Sequence, residues 1–307
     1  MKYAIYGLGR YFMGHQLGFV GILKNALYIS DSNPDRRMLA KRLFHSATVV
    51  EPDIIIQNES ILDKVYIAAP LHFDEIASML TDAGMAPGKI ELLEPDKNMF
   101  LTGDVLAEAR MLIGRESSLK FMPDNAVCVE VGVAYGDFTE MILREMKPKM
   151  FFAVDCFSRD DPYVELMGRC DFKRDNMPHQ KWYERRFSRE IASGLLETRQ
   201  GFSWDVLSEF PDDYFDYAYV DAGHDYESVK NDIAVLEKKL KDGGFVQFND
   251  YAMFNWAWGI FFGVVPAVNE FLNLNKGNHK VRYFCMDDTH QNNDIVIQIH
   301  KNGTGIL

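Results

Sequence analysis

The sequence predicts an α/β protein with two domains, each built on a mostly parallel sheet. Short apolar, β-branched segments alternate with helix-like segments along the chain, which is typical of βαβ units. Several apolar segments end in a carboxylate, so acidic groups are expected at the carboxyl ends of neighbouring strands, where open α/β sheets bind ligands. The length of 307 residues suits two domains better than one.

The first domain is expected to span residues 1–103 as a small Rossmann-like unit. Strands are predicted to begin near Lys2, Ala26, Asp53 and Lys64, and a helix is predicted from Leu71 to Ala83, ending near a glycine. Residues 104–120 are predicted to form a linker helix. Residues 121–307 are then expected to form the second domain.

The stretch from Cys128 to Thr139 carries the strongest functional signal. An apolar strand reaches Glu130 and then turns through Gly132 and Gly136 into a helix-like segment. Glycines at such a turn let a ligand approach the backbone, and the following helix offers unpaired N–H groups. A carboxylate at the strand end disfavours a phosphate and favours a ligand with an ammonium group. This points to S-adenosylmethionine rather than to a dinucleotide.

Later strand ends are expected to complete a cofactor crevice. Asp155 ends the next predicted strand, where a nucleoside ribose finds its hydroxyl partner, and the segment Glu197–Trp204 suits an adenine edge. Asp221 and Asp250 end two further strands. The predicted cofactor-binding residues are Glu130, Gly132, Val133, Ala134, Tyr135, Gly136, Asp155, Cys156, Phe157, Gly201, Phe202, Ser203 and Asp221.

These motifs together resemble the class I S-adenosylmethionine-dependent methyltransferases, in particular a bacterial branch that includes macrolide- and aminocoumarin-sugar O-methyltransferases. The resemblance spans residues 105–307 in organisation. The matching motifs are Glu130-Val-Gly-Val-Ala-Tyr-Gly136, Val154-Asp155, Val220-Asp-Ala-Gly-His-Asp-Tyr226 and Gly243-Gly-Phe-Val-Gln-Phe-Asn-Asp-Tyr251.

The resemblance implies a mostly parallel, seven-stranded sheet closed by an antiparallel hairpin, here Val281–Cys285 with Asp294–His300. It also implies a magnesium site at the strand tips, matched here by Asp221, Asn249 and Asp250. Asn249 stands where the branch has a carboxylate, and the loss of one negative charge weakens such a site. Whether magnesium is required therefore stays open.

His224, Asp221 and Asp250 are the predicted catalytic residues. Methyl transfer to a hydroxyl needs alignment of the nucleophile and removal of its proton, and imidazole titrates near neutral pH as a general base should. An alternative is that His224 only caps the helix that begins near Tyr226, and Asp225 is a second candidate for the cap.

The expected reaction is O-methylation of a small polar acceptor such as a sugar or glycoside, although N-methylation stays open. One rival is an NAD-linked oxidoreductase, because Gly7, Gly9 and Asp31 mimic a dinucleotide fingerprint. Phe12 stands at the third glycine position and opposes that interpretation. The N-terminal domain also resembles the small Rossmann-like modules found beside sugar-modifying transferases of bacterial surface glycans. A second rival is a non-catalytic protein that binds an adenosyl ligand.

Composition narrows the classes of partner. A formal charge of −12 argues against nucleic acid, since phosphate binding needs a basic face. The interleaved basic residues between Phe157 and Arg189 suggest contact with an anionic, nucleotide-linked sugar, or a solvated, charge-paired helix face. The aromatic segment Tyr251–Phe262 is expected in the core or in a contact between copies of a homo-oligomer.

No signal peptide is expected, because Met1-Lys-Tyr-Ala leads directly into a predicted strand. No membrane span is expected either, because the apolar stretch Ala252–Val268 is interrupted by Asn255, Gly259, Gly263 and Pro266. The four cysteines show no metal-like spacing, which suits buried thiols in a reducing cytoplasm.

Overall fold

A computed structural model describes residues 1–44, 47–158, 177–255, 260–275, 277–287 and 293–301. The chain forms two units. One comprises Met1–Phe100 with Met253–Phe261, and the other comprises Leu101–Ala252 with Phe262–Leu307.

The first unit contains a five-stranded parallel sheet of order β3-β2-β1-β4-β5. The strands are β1 (Tyr3–Tyr6), β2 (Ala26–Ser30), β3 (Thr48–Val49), β4 (Lys64–Ile67) and β5 (Ile90–Leu92). Its α-helices are Arg10–Gly14, Gln16–Asn25, Pro34–Leu43, Pro52–Gln57 and Phe73–Asp82.

The prediction of a strand at Asp53 is wrong. Residues Pro52–Gln57 form a helix, with proline in its first turn, where the missing N–H is not needed. Ile55 is fully buried and Asp53 is exposed, so the isoleucine run supplies one apolar helix face instead of a strand.

Part of the aromatic segment joins this first unit. Phe254–Asn255 (β12) and Ile260–Phe261 (β13) form a short antiparallel hairpin. The ring of Phe261 stacks on Phe44, with 5.3 Å between ring centroids. This end of the aromatic segment therefore packs on the apolar cluster of the N-terminal unit.

The second unit contains an eight-stranded sheet of order β6-β14-β15-β11-β10-β7-β8-β9. The pairs from β11 through β10, β7, β8 and β9 are parallel, whereas β15 is antiparallel to both β11 and β14. The strands are β6 (Arg110–Ile113), β7 (Val127–Val131), β8 (Met150–Asp155), β9 (Leu196–Gln200), β10 (Phe215–Val220), β11 (Leu240–Phe248), β14 (Lys280–Met286) and β15 (Asn293–Gln298).

Helices cover this sheet, and the predicted closing hairpin is formed by β14 and β15. Two apolar clusters hold the sheet and its helices together. The α-helices are Gly103–Leu106, Asp137–Met146, His179–Arg186, Ser188–Ala192, Ser203–Ser208, Tyr226–Lys239 and Val264–Leu274.

The predicted linker helix over 104–120 is wrong, and so is the count of seven strands. Only Gly103–Leu106 is α-helical; β6 follows, and then a 3-10 helix from Arg115 to Phe121. β6 adds an eighth strand, parallel to β14, whose backbone groups it satisfies. Gly114 has φ of +80°, which no α-helix can pass through.

Among the described helices, none combines the length and the apolar character that crossing a bilayer requires. The three described cysteines, Cys128, Cys156 and Cys285, are free thiols.

Candidate active site

A crevice of about 290 Å³ lies at the carboxyl ends of the parallel strands in the second unit. β7 stands between β8 and β10, so the strand order reverses there and the loops on either side leave a gap. The crevice is lined by Val131, Gly132, Val154, Asp155, Cys156, Ser158, Gly201, Phe202, Ser203, Trp204, Asp221, Ala222, Gly223 and Ser228. Seven of the predicted cofactor residues are therefore together: Gly132, Asp155, Cys156, Gly201, Phe202, Ser203 and Asp221.

The turn after β7 is fixed by its contacts to the neighbouring strands. The N–H of Gly132 donates to the carbonyl of Val154 at 2.8 Å, and the N–H of Asp221 donates to that of Val131 at 2.8 Å. Gly132 has φ of +81°, and a Cβ there would lie 2.1 Å from the carbonyl oxygen of Asp221. Only glycine fits, so the turn keeps its backbone against the crevice.

Asp155 organises the loops on two sides of the crevice. One carboxylate oxygen accepts the N–H of Val133 at 2.9 Å, and the other accepts that of Phe157 at 2.7 Å. Each carboxylate oxygen has two acceptor sites, so the group can also accept hydrogen bonds from a ribose. This is the role that the sequence assigns to Asp155.

Glu130 does not line the crevice. It is 1% exposed, and it accepts a hydrogen bond from the hydroxyl of Thr139, which also bonds Tyr183. Burial raises the pKa of Glu130 to about 8, against the opposing effect of the Thr139 hydrogen bond. The side chain lies beneath the turn, where burial favours its protonated form, and its position in the sequence could not reveal this.

Five more predicted cofactor residues do not line the crevice, although they lie in the loops beside it: Val133, Ala134, Tyr135 and Gly136 in the turn after β7, and Phe157 after β8. Their backbone groups hold neighbouring elements; for example, the ring of His179 bonds the carbonyl of Ala134 at 2.6 Å. Ala134 and Phe157 both have positive φ, which marks the tight local geometry. At Gly136 a Cβ would lie 2.4 Å from the ring of Phe187.

An aromatic pair lies at the other edge of the crevice. The rings of Phe202 and Trp204 are stacked at 5.2 Å, and Phe202 is largely exposed, so it can face a flat heterocycle. Ser203 donates a hydrogen bond to the buried Asp232. Burial raises the pKa of Asp232 to about 7, although the Ser203 bond lowers it. Trp204 ends the segment that the sequence assigns to the adenine edge, whereas sequence reasoning missed Asp232.

The three predicted catalytic residues lie together. Nε2 of His224 is 3.1 Å from Oδ2 of Asp250 and 3.6 Å from Oδ1 of Asp221. The imidazole also stacks on the ring of Phe262, with 4.7 Å between ring centroids. The backbone carbonyl of His224 accepts the N–H of Gly263. Two carboxylates beside one imidazole stabilise its charged form once it has accepted a proton.

The helix after this loop has a cap of its own. Asp225 is the N-cap of Tyr226–Lys239, and its Oδ1 accepts the N–H groups of Glu227 and Ser228 at 3.1 and 3.0 Å. The cap is therefore Asp225, and the side chain of His224 is not used for that purpose.

The guanidinium of Arg115 lies on the side of the His224–Asp221–Asp250 cluster that faces Asn249. Nη1 of Arg115 lies 2.9 Å from the hydroxyl of Tyr219, 3.4 Å from Oδ1 of Asn249 and 3.7 Å from Oδ2 of Asp221. The guanidinium carbon sits 4.7 Å from the centre of the Phe138 ring. Burial alone would lower the pKa of Arg115, but Tyr219 and Asp221 raise it above its ordinary value. Sequence reasoning missed Arg115 because no motif contains it.

The predicted magnesium ligands do not fit a divalent cation in this arrangement. The oxygen of Asn249 already accepts from Tyr219 and Arg115, and its amide nitrogen donates to Asp221 at 3.1 Å. The guanidinium of Arg115 and the amide N–H group of Asn249 thus lie against the oxygens of Asn249 and Asp221 that a metal would need as ligands. Within the described part of the chain, no group of three or more histidine, cysteine or acidic side chains is arranged to hold a metal.

A buried polar network lies under the cluster. Gln247 donates to Asp294 at 2.7 Å and to the carbonyl of Arg115 at 3.1 Å, and it accepts from Tyr217 at 2.9 Å. Burial raises the pKa of Asp294 to about 8, against the opposing effects of Gln247 and Arg115. The network links β10, β11 and β15 to the segment that carries Arg115.

Most of the basic segment predicted to contact an anionic sugar lies outside the described residues, including Arg159, Arg169, Lys173 and Arg174. Of its described part, Arg186 bonds Asp137 and Glu140 at 2.8 and 2.6 Å. That guanidinium serves as an internal ion pair.

Part of the second unit is similar in sequence to known proteins. Residues 129–251 match a family model described as a methyltransferase domain. An uncharacterized protein of Acanthamoeba polyphaga mimivirus is 23% identical over 189 residues, which are 60% of this chain and 77% of that protein.

Solved structures similar to this chain include two methyltransferases. A precorrin-6y methyltransferase from Geobacter metallireducens has a TM-score of 0.39 and 14% identity, over 60% of this chain and 85% of its own. An O-methyltransferase from Bacillus cereus, in complex with S-adenosylhomocysteine, has a TM-score of 0.42 and 12% identity, over 60% and 78%.

The matched residues contain the whole glycine turn, Asp155, Asp221 and the His224–Asp250 cluster. The match to a methyltransferase domain therefore covers the residues that form the crevice and the polar cluster of the larger unit.

Proposed function

We propose that this chain transfers a methyl group from S-adenosylmethionine to a hydroxyl of a small polar acceptor, such as a sugar or glycoside. The observation that carries the proposal is the contact of His224 Nε2 with Asp250 at 3.1 Å and Asp221 at 3.6 Å, at the strand ends that also bound the cofactor crevice.

The cofactor site supports the adenosyl ligand. Asp155 is placed to accept the ribose hydroxyls, and the Phe202–Trp204 pair offers a flat apolar surface for adenine. The turn at Gly132 brings backbone to the crevice between these groups and Asp221. The non-catalytic alternative, a protein that only binds an adenosyl ligand, has no use for a base beside this crevice.

The proposed reaction moves one methyl group and one proton. The acceptor oxygen attacks the methyl carbon, the carbon–sulfur bond breaks with its electron pair moving to sulfur, and the acceptor proton goes to the imidazole of His224. Asp221 and Asp250 stabilise the imidazolium that results. S-adenosylhomocysteine and the methyl ether are the products.

We further propose that the reaction needs no divalent metal. Arg115 places a fixed positive charge within 3.7 Å of Asp221 and 3.4 Å of Asn249. This charge balances the acidic cluster, and the guanidinium can donate to an acceptor oxygen.

The acceptor is proposed to be small and rich in hydroxyl groups. The carboxylates of Asp221 and Asp250 are partly exposed and can accept hydrogen bonds from neighbouring hydroxyls. A formal charge of −12 opposes a nucleic-acid acceptor.

The test is transfer of radiolabelled methyl from S-adenosylmethionine to a panel of sugars, glycosides and small amines, with the full chain and with His224→Ala. Each reaction is run with added magnesium and with EDTA. The proposal expects ether products from hydroxyl acceptors, equal rates with EDTA, and loss of transfer in the variant. Transfer only to amines, or only with magnesium, would contradict it.

A further inference from the structure

The N-terminal unit has a cleft of its own, about 630 Å³ in volume. It lies at the carboxyl ends of β1, β2 and β4. β2 and β4 flank β1 on opposite sides, so the order of the strands reverses at β1. This is the position at which open parallel sheets bind small ligands. Nothing in the proposed methyl transfer uses it.

We propose that this cleft binds a phosphate-bearing nucleotide, with the phosphate held by Arg10 and Arg36 beside the turn that follows β1. The two guanidiniums both line the cleft, together with Gly7 and Gly9. Guanidinium groups bind phosphate with paired, charge-assisted hydrogen bonds.

Arg36 is held in place for this role. Its Nη1 lies 3.4 Å from Oδ2 of Asp31, and a Cβ on Gly9 would lie 3.0 Å from the same nitrogen. The absence of a side chain at Gly9 therefore leaves room for the guanidinium to lie against the turn. The side chain is still half exposed, and a guanidinium has five donors, of which Asp31 engages one.

Asp31 itself braces the turn and is almost fully buried, although it lines the cleft. Its carboxylate accepts the N–H of Leu8 at 2.6 Å and that of Asn33 at 2.8 Å, and the residue is 2% exposed. Little of its carboxylate is left for the ribose contact that a dinucleotide fingerprint assigns to this acid. Phe12, at the position of the third glycine, is fully buried against Phe19 and Phe44. The hydride-transfer alternative therefore gains no support. Phosphate recognition by Arg10 and Arg36 needs neither a ribose contact from Asp31 nor a glycine at position 12.

The opposite wall of the cleft is apolar and suits a base or another flat group. Leu71, Ile76 and Met79 line it, and Leu71 is 93% exposed. The small residues Ala68 and Ala69, which follow β4, leave the floor open. Glu75 also lines the cleft, with its carboxylate 3.3 Å from the ring of His72. A ligand of mixed character, anionic at one end and flat at the other, matches these two sides.

The test is calorimetry on the full chain with ADP, NADP⁺, UDP, adenosine and inorganic phosphate, in the presence of saturating S-adenosylhomocysteine to fill the other unit. The proposal expects at least one nucleotide to bind about tenfold more tightly than both adenosine and phosphate. Arg10→Gln and Arg36→Gln should each weaken that binding about tenfold. The matched control Arg42→Gln, on the exposed face of the same helix as Arg36, should leave it unchanged.

Arg10→Gln keeps the test valid if Arg36→Gln unfolds the unit, because Arg36 also contacts Asp31, which braces the turn. Absence of binding by all the nucleotides would overturn the proposal. Equal binding of adenosine and ADP, or of phosphate and ADP, would also overturn it. Binding that survives both arginine variants, or that is lost in Asp155→Asn, would place the ligand elsewhere and contradict it as well.

Discussion

Nε2 of His224 lies 3.1 Å from Oδ2 of Asp250, across the tips of two adjacent strands. Asp250 adopts φ of +52°, a conformation that is costly for a residue other than glycine and that recurs at functional sites. The pair joins the loop after β10 to the end of β11. It positions one imidazole between two carboxylates beside the cofactor crevice.

His224 is expected to control turnover and not stability. His224→Ala should lower kcat by about 10²–10⁴-fold, the usual contribution of a general base, with the dissociation constant of S-adenosylmethionine changed less than about threefold. The measurement is single-turnover methyl transfer together with calorimetry.

Asp225→Ala is the matched control for that experiment, since it removes the neighbouring helix cap. It should lower the free energy of unfolding by about 1 kcal/mol and leave kcat close to that of the wild type. If the two variants lose turnover equally, His224 has no special role as base.

Gly132→Ala is expected to abolish cofactor binding and to destabilise the fold. The added Cβ would meet the carbonyl of Asp221 at 2.1 Å, and the positive φ adds strain of about 1–2 kcal/mol. Gly243→Ala has nearly the same φ, +79°, but its Cβ would meet no atom within 4 Å. Urea unfolding should therefore show a larger loss for Gly132→Ala, by about 1–3 kcal/mol. Equal losses would show that the close approach at Gly132 is unimportant.

Cofactor binding is expected to release a proton at pH 7. The pKa of Glu130 is raised to about 8 by burial, so the group is mostly protonated without a ligand. A cationic amino group nearby favours the ionised form and lowers that pKa. Calorimetric enthalpies in Tris and in phosphate should then differ by the number of protons released times the difference between the buffers' ionisation enthalpies, and Glu130→Gln should remove the difference. Identical enthalpies in the two buffers for the wild type would show that the cofactor's ammonium group does not change the pKa of Glu130.

Stability is expected to fall as the pH rises from about 4 to 8. The folded-state pKa values of Glu130 and Asp294 are raised to about 8, so the folded chain keeps protons that the unfolded chain loses in this window. Unfolding free energy therefore decreases with pH, by up to about 1.4 kcal/mol per pH unit for each group. Asp294→Asn should flatten the curve measured by urea unfolding at pH 5 to 8. The exposed control Asp53→Asn should not, and equal slopes for all three proteins would contradict the account.

The sequence predicted the parts of the site that depend on local geometry. Gly132 was identified because glycine in a strand-to-helix turn lets a ligand approach the backbone, and Asp155 and Asp221 because acids at parallel strand ends converge. The alternation of strands and helices predicted the parallel core of the second unit, and the family resemblance implied its closing hairpin.

What the sequence could not predict depends on tertiary contacts. Glu130 was expected in the crevice, but the depth of a side chain at the end of a strand depends on the elements packed above it. Arg115 reaches Tyr219 and Asn249 from more than a hundred positions away. The segment Arg110–Ile113 was expected to be helical, and its pairing with the edge of β14 overrides local propensity.

The most direct test of the central claim is calorimetric titration of the full chain with S-adenosylmethionine and S-adenosylhomocysteine, beside Asp155→Asn and the N-terminal variant Arg36→Gln. The account predicts micromolar binding of both compounds to the wild type and to Arg36→Gln. It also predicts a loss of at least tenfold in Asp155→Asn, because that carboxylate holds the turn and is proposed to accept the ribose hydroxyls. Absence of binding to the wild type, or equal binding to Asp155→Asn, would contradict the assignment of the crevice as the cofactor site.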